Sequence, residues 1–139
     1  MENLSRFEAE QSVIGSILID NEALDKISFL ESGDFYAGHH RIIFSKIVEL
    51  LDKGVAVDPV TMTDRFNDDD LSMIGGMDYL VDLFKNTPSS GNVVSYADAV
   101  KDMANRRKVV GSMQEAIQKL GDVRETTVGT IAELEEVLD

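Results

Sequence analysis

Apolar residues recur along this chain at steps of three and four, the spacing that gathers them on one face of a helix. Val13, Ile14, Ile17 and Leu18 make the first such face, and Ser5-Arg6-Phe7-Glu8 ahead of them has the form of a capping box, predicting a helix over 6–19. Asp20-Asn21 can cap a second, short helix carrying Leu24, Ile27 and Phe29 as far as Leu30, before Ser32-Gly33-Asp34 breaks the pattern. Over 39–52, Ile42, Ile43, Phe44, Ile47, Val48, Leu50 and Leu51 cover more than half the helix circumference, so this helix is expected at the centre of the bundle. Gly54 is placed to end it in the left-handed conformation. Asp58-Pro59 reads as an N-cap followed by proline at the first helical position, opening a short helix to Phe66. Asn67-Asp68-Asp69-Asp70 reads as a polar turn, and a further helix with Tyr79, Leu80, Leu83 and Phe84 comes after Gly75-Gly76, over 77–85.

Thr87-Pro88-Ser89-Ser90-Gly91-Asn92 is six turn-forming residues with no apolar side chain to anchor a core, and it sets the expected boundary between a head, 1–91, and the remainder of the chain, 92–139. Beyond it the chain lacks proline and has only Gly111 as a weak breaker before residue 120. A single helix over 93–120, roughly 42 Å long at 1.5 Å per residue, is the simplest reading. Its apolar positions, from Val93, Ala97 and Val100 to Val110, Met113, Ile117 and Leu120, mark a seam for another helix. Gly121-Asp122 stops it, and Thr126-Thr127 restarts a helix with Val128, Ile131, Leu134, Val137 and Leu138. The predicted fold class is therefore all-α: a small helical bundle head followed by a long antiparallel helical hairpin.

Charge divides along the same line. The 139 residues hold 13 Lys and Arg against 26 Asp and Glu, a net charge of −13. The head carries −10, residues 92–124 carry +2 and the last 15 residues carry −5, so a basic long arm is expected beside an acidic short one. Such an overall charge argues against a broad grip on nucleic-acid phosphates. No apolar run approaches the ~20 residues that cross a bilayer and no signal peptide opens the chain, so a cytoplasmic protein without membrane association is expected. The absence of cysteine removes disulfides, thiolate metal sites and cysteine nucleophiles.

The chain carries no motif of catalytic chemistry. Gly75-Gly76 leads into Met77-Asp78 rather than the Lys of a phosphate loop. His39 and His40 are adjacent, and helical neighbours point about 100° apart, which is expected to keep both from one ion. An EF-hand begun at Asp68 would need Gly and Glu where the chain has Met73 and Tyr79. No catalytic, cofactor-binding or metal residue is assigned. Arg106, Arg107 and Lys108 interrupt the seam and form a candidate anionic contact, the alternative being an exposed stripe on the hairpin.

Several blocks nevertheless match a known pattern. Glu8-Ala9-Glu10-Gln11-Ser12-Val13-Ile14-Gly15, Asp34-Phe35-Tyr36 with His40-Arg41 and Ile43-Phe44, Val57-Asp58 with Thr61, Gly75-Gly76 with Tyr79-Leu80, and Thr87 to Asn92 ahead of Tyr96-Ala97 resemble, in order, the N-terminal domain of DnaB-type replicative DNA helicases. Ala56, Pro59, Gly91 and Ala99 depart from the usual pattern, and a bacterial or a phage-borne branch fits equally.

That resemblance implies a non-catalytic module. It implies self-association through the hairpin into dimers and a trimer of dimers within a hexamer, docking of the primase C-terminal domain and, in some systems, a helicase loader. It also implies a RecA-like motor domain beyond the end of this chain, which would use ATP and Mg2+ and carry most of the contact with DNA; this stretch itself is expected to need no cofactor. The alternative reading is a free-standing adaptor or inhibitor of a cellular helicase. The chain stops inside an acidic helix without a Gly or Pro stop, which reads as a shortened chain or as a helix that continues. The residues expected at self-association or partner contacts are Val93, Val100, Val110, Met113, Ile117 and Leu120 on the long arm, Val128, Ile131, Leu134 and Leu138 on the short one, and Tyr79 on the head.

Overall fold

A computed structural model describes residues 6–139, so the expected capping role of Ser5 lies outside the described residues. Among these the regular structure is helical: α1 (Phe7–Ile19), α2 (Gly38–Asp52), α3 (Pro59–Arg65), α4 (Asp68–Met73), α5 (Gly76–Asn86), α6 (Val93–Leu120) and α7 (Thr127–Leu138). Two 3-10 segments, Asn21–Ile27 and Ser32–Asp34, join α1 to α2. The short helix expected after Asp20 is thus the tighter 3-10 form. The Asp20 carboxylate accepts from the Glu22 amide, and the Asn21 side chain donates to the carbonyls of Ile17 and Val57 and accepts from the Val57 amide.

The end signals work as their chemistry requires. Asp58 accepts from the Thr61 amide at 2.8 Å with Pro59 at the first helical position, and Gly54, at φ +76°, takes the left-handed conformation after α2. The acidic run expected to be a turn opens a short helix instead. Asn67 caps it by accepting from the Asp70 amide, and Asp68, Asp69 and Asp70 lie in its first turn, where negative charge complements the exposed amides.

The centre of the head is α1 rather than α2. Val13, Ile14, Gly15, Ser16, Ile17 and Leu18 are six consecutive buried residues, which requires neighbours on every side: α2, α5, α6 and the first 3-10 segment. On α2 only one face is buried, through Ile43, Phe44, Ile47 and Leu50, while Ile42, Val48 and Leu51 pack at its margin. Gly15 lets α5 come this close. A Cβ there would sit 1.9 Å from Thr87 Oγ1 and 2.5 Å from the Leu83 carbonyl oxygen. Thr87, expected to begin an unanchored boundary, is therefore buried against α1 and closes the α5 terminus by donating to Leu83 O.

The head does not stop at residue 91. Val93, Ala97 and Val100 of α6 are buried in the same core cluster as Val13, Ile17, Ile27 and Leu83. Burying two valines contributes about 3–6 kcal/mol on the usual scale, so the expected division between 91 and 92 would cut through packed structure. From there α6 runs on past the head and pairs with α7.

Candidate protein interface on the helical hairpin

The outer part of α6 and the whole of α7 form the predicted antiparallel hairpin, with few side chains fully buried between the arms. Ser112, Glu115 and Ala116 of α6 meet Thr130, Glu133, Leu134 and Val137 of α7, leaving a gap of about 70 Å3 among them. Of these, Ala116 and Thr130 are buried. Lys119 Nζ reaches the Glu133 carboxylate across the gap and Glu115 along its own helix, so the basic arm does meet the acidic one. Those carboxylates raise the Lys119 ammonium above its ordinary pKa. Thr126 caps α7 by accepting from the Gly129 amide.

The α6 side of the seam is small and polar and the α7 side adds only Leu134 and Val137 as large apolar residues, so most large apolar side chains of the hairpin are left outside. Ile117 is 71% exposed and Val128 79%, with Met113, Leu120, Ile131 and Leu138 each exposed as well. At about 100° per residue, Met113, Ile117 and Leu120 stand roughly a quarter-turn round α6 from the Ser112–Ala116 edge that meets α7. Val128, Ile131 and Leu138 stand about as far round α7 from Thr130 and Leu134, in the same rotational sense. Since the arms are antiparallel, equal rotations of the same sense bring both stripes out on one side of the hairpin. Val93, Ala97 and Val100 lie about a quarter-turn in the other sense, so α6 meets the head on the opposite side. The result is one apolar face built from two arms, larger than scattered surface residues provide.

The ten apolar residues expected at contacts therefore separate. Val93 and Val100 belong to the core of the head and cannot reach a partner, because the first turns of α6 close over α1. Leu134 is half-buried in the seam between the arms, and Val110 is half-buried near their base. Met113, Ile117, Leu120, Val128, Ile131 and Leu138 are on the open face. Sequence reasoning missed Val123, 98% exposed in the turn between the arms. It falls outside both helical periods, which is why spacing did not find it.

The basic run also separates. Arg106 pairs along its helix with Asp102, at 2.9 Å. Arg107 Nη2 donates to the Asp34 carbonyl at 2.7 Å, and its guanidinium lies over the Tyr36 ring, 5.4 Å from the centroid. Lys108 is exposed. The three residues thus do not converge as one anion site, because successive helical positions turn them to different neighbours.

Tyr79 points its hydroxyl inward. His40 Nε2 lies 2.6 Å from Tyr79 Oη, and His39 Nε2 and Gln11 Nε2 each lie 3.2 Å from it. His40 Nδ1 lies 2.8 Å from the buried Glu10 carboxylate, which also accepts from the amides of Tyr36 and Ala37. Burial alone would push the Glu10 carboxyl up, but the His40 bond and the two amides outweigh it and hold its pKa below the ordinary value. Burial raises the Tyr79 phenol, and burial, reinforced by the neighbouring His40, lowers the His39 imidazole. With Glu10 ionised, His40 donates from Nδ1 and keeps a lone pair on Nε2 for the Tyr79 hydroxyl, while Gln11 and His39 donate to the phenol oxygen.

This cluster ties α1, α2 and α5 together. The rings of the adjacent histidines sit 4.2 Å apart and both reach the Tyr79 oxygen, so a 100° offset between helical neighbours does not by itself keep them from one atom. Glu10 was missed, although a signal existed, for it stands on the same face as Val13, Ile14 and Ile17, one turn earlier. Among the described residues no group of three or more His, Asp or Glu side chains is arranged to hold a metal ion, and no helix is long and apolar enough to cross a membrane.

Comparison with known proteins agrees with this architecture. The family model of the DnaB-like helicase N-terminal domain matches residues 2–102. The replicative DNA helicase DnaB of Pasteurella multocida is 40% identical over 134 residues, covering 95% of this chain but 27% of that protein. The chain thus spans about a quarter of that relative's length. The crystal structure of the N-terminal domain of DnaB helicase from Mycobacterium tuberculosis superposes with a TM-score of 0.88 at 30% identity, covering 98% of this chain and 99% of that one. A structure of a DnaB-like replicative helicase and its interactions with primase matches with a TM-score of 0.82 at 26% identity, covering 95% of this chain and 31% of that one.

Proposed function

Since the chain belongs to the DnaB-like helicase N-terminal domain family, we propose that it is the non-catalytic collar element of a replicative DNA helicase, joining subunits through its hairpin and receiving primase or a loader. The observation that carries this reading is the apolar face of Met113, Ile117, Leu120, Val128, Ile131 and Leu138, which neither the head nor the opposite arm covers. A second copy supplies the same apolar surface, and pairing about a two-fold axis covers both at once. Dimers would then assemble as a trimer of dimers in the hexamer. The ATP- and Mg2+-dependent motor and most DNA contact belong, in this reading, to the remainder of a longer protein. Tyr79 is a weaker candidate for a partner contact, since its hydroxyl is engaged within the head.

Sedimentation of the whole chain tests the proposal. The wild type should show concentration-dependent association, and Ile117→Asp with Ile131→Asp should remain monomeric with unchanged helicity. Truncation at residue 91 is the wrong comparison, because it removes part of the core. Monomeric behaviour of the wild type at concentrations of about 1 mM, where even weak contacts form, would sink the self-association reading.

A further inference from the structure

We propose that the corner at residues 32–36 is a latch that fixes the direction in which the hairpin leaves the head, with Arg107 as its positioning residue. The corner is unusually well held. Phe35 is fully buried, its ring 4.8 Å from that of Phe44. Arg41 Nη1 donates to the carbonyls of Phe35 and Tyr36 at 2.9 and 2.7 Å, and Glu10 accepts the amides of Tyr36 and Ala37. Three successive carbonyls, 34 to 36, are thus each taken by an arginine, and the amides of residues 36 and 37 by one carboxylate.

Against this fixed point α6 is gripped twice. Lys101 Nζ pairs with the Asp34 carboxylate at 3.1 Å, and Arg107 bonds the Asp34 carbonyl while covering the Tyr36 ring. The apolar anchoring of α6 ends one residue before this grip, at Val100. Lys101 and Arg107 therefore extend the anchored stretch by about two turns, and they do so with directed bonds, whereas apolar packing tolerates pivoting. A helix behaves as a rod, and from Arg107 to Leu120 it projects about 20 Å. A pivot of about 10° at the latch carries the end of α6 on the order of 3.5 Å, close to the diameter of a methyl group, so the latch sets where the apolar face is presented.

This consequence for assembly rests on the proposed self-association, but the latch can be tested apart from it. The chain has no cysteine, so nitroxides can be placed at Ser72→Cys in the head and Gln118→Cys on the arm, both exposed. Labelled protein diluted into unlabelled chain reports the intramolecular distance by electron double resonance. The expected result is one narrow distribution in this background and at least a doubling of its width with Arg107→Ala and Lys101→Met together, with helicity and unfolding midpoint retained. Arg107→Lys should broaden it too, because an ammonium does not reproduce the planar contact with carbonyl and ring. Equal widths in all three would overturn the latch, whatever sedimentation shows. Conversely, a monomeric wild type with a distribution that broadens on mutation would leave the latch standing and the assembly reading fallen.

Discussion

The hydroxyl of Tyr79 and Nε2 of His40 lie 2.6 Å apart, joining the first turns of α5 and α2 over the carboxylate of Glu10 on α1. Three helices begin around these side chains, and Glu10 accepts the amides of Tyr36 and Ala37 just ahead of α2, where negative charge is favoured. The cluster is a buried polar node, and such a node is costly when one member is removed.

Tyr79→Phe keeps the ring and removes the hydroxyl. Gln11, His39 and His40 then lose a common partner, and His40 is fully buried. Leaving a buried polar group unpaired costs roughly 1–3 kcal/mol. Urea unfolding followed by circular dichroism should show a lowered midpoint with an unchanged slope; a midpoint equal to wild type would mean the hydroxyl contributes nothing.

The same cluster sets a pH dependence. Glu10 has a folded pKa below its ordinary 4.5, so its contribution is complete above that value and is lost as pH falls through the folded one. His39 is also lowered, from 6.5; the unfolded chain takes up this proton more readily, and stability begins to decline as pH drops through 6.5. Both signs agree. Urea midpoints should fall steadily from pH 7.5 to 4, and His39→Gln should flatten the upper part of that fall. A midpoint that rises on acidification contradicts the assignment.

Gly15→Ala tests the crossing of α1 and α5. The new methyl would meet Thr87 Oγ1 and, more stubbornly, the backbone oxygen of Leu83 at 2.5 Å. Although alanine is the better helix former, overpacking of this kind costs about 1–3 kcal/mol. Calorimetry should show a lower Tm, and a stabilised variant would show that α5 can move away freely.

Val100 and Ile117 lie on one helix with opposite surroundings, 1% and 71% exposed. At low protein concentration Val100→Ala should destabilise by about 1–3 kcal/mol, while Ile117→Ala should stay within about 0.5 kcal/mol. If the two cost the same in dilute solution, the division between core and open face is misplaced.

The sequence by itself determined where most helices start and stop, and which residues are large and apolar on each, because those properties arise from local chemistry. Asp58-Pro59, Gly54 and the steps of three and four over 93–120 need no neighbour to act. The family resemblance was legible for the same reason, in blocks of contiguous residues. Only tertiary structure decided what each face meets. A period of 3.6 residues assigns an angle around the helix axis and says nothing of what lies in that direction, so it set Val93 and Val100 on another side from Ile117 and Leu120 without saying which side the core would take. The Glu10–His40–Tyr79 node depends on residues 30 and 39 positions apart along the chain. It exists because packing of α1, α2 and α5 brings their first turns together, an outcome of the whole core that none of the three segments encodes alone.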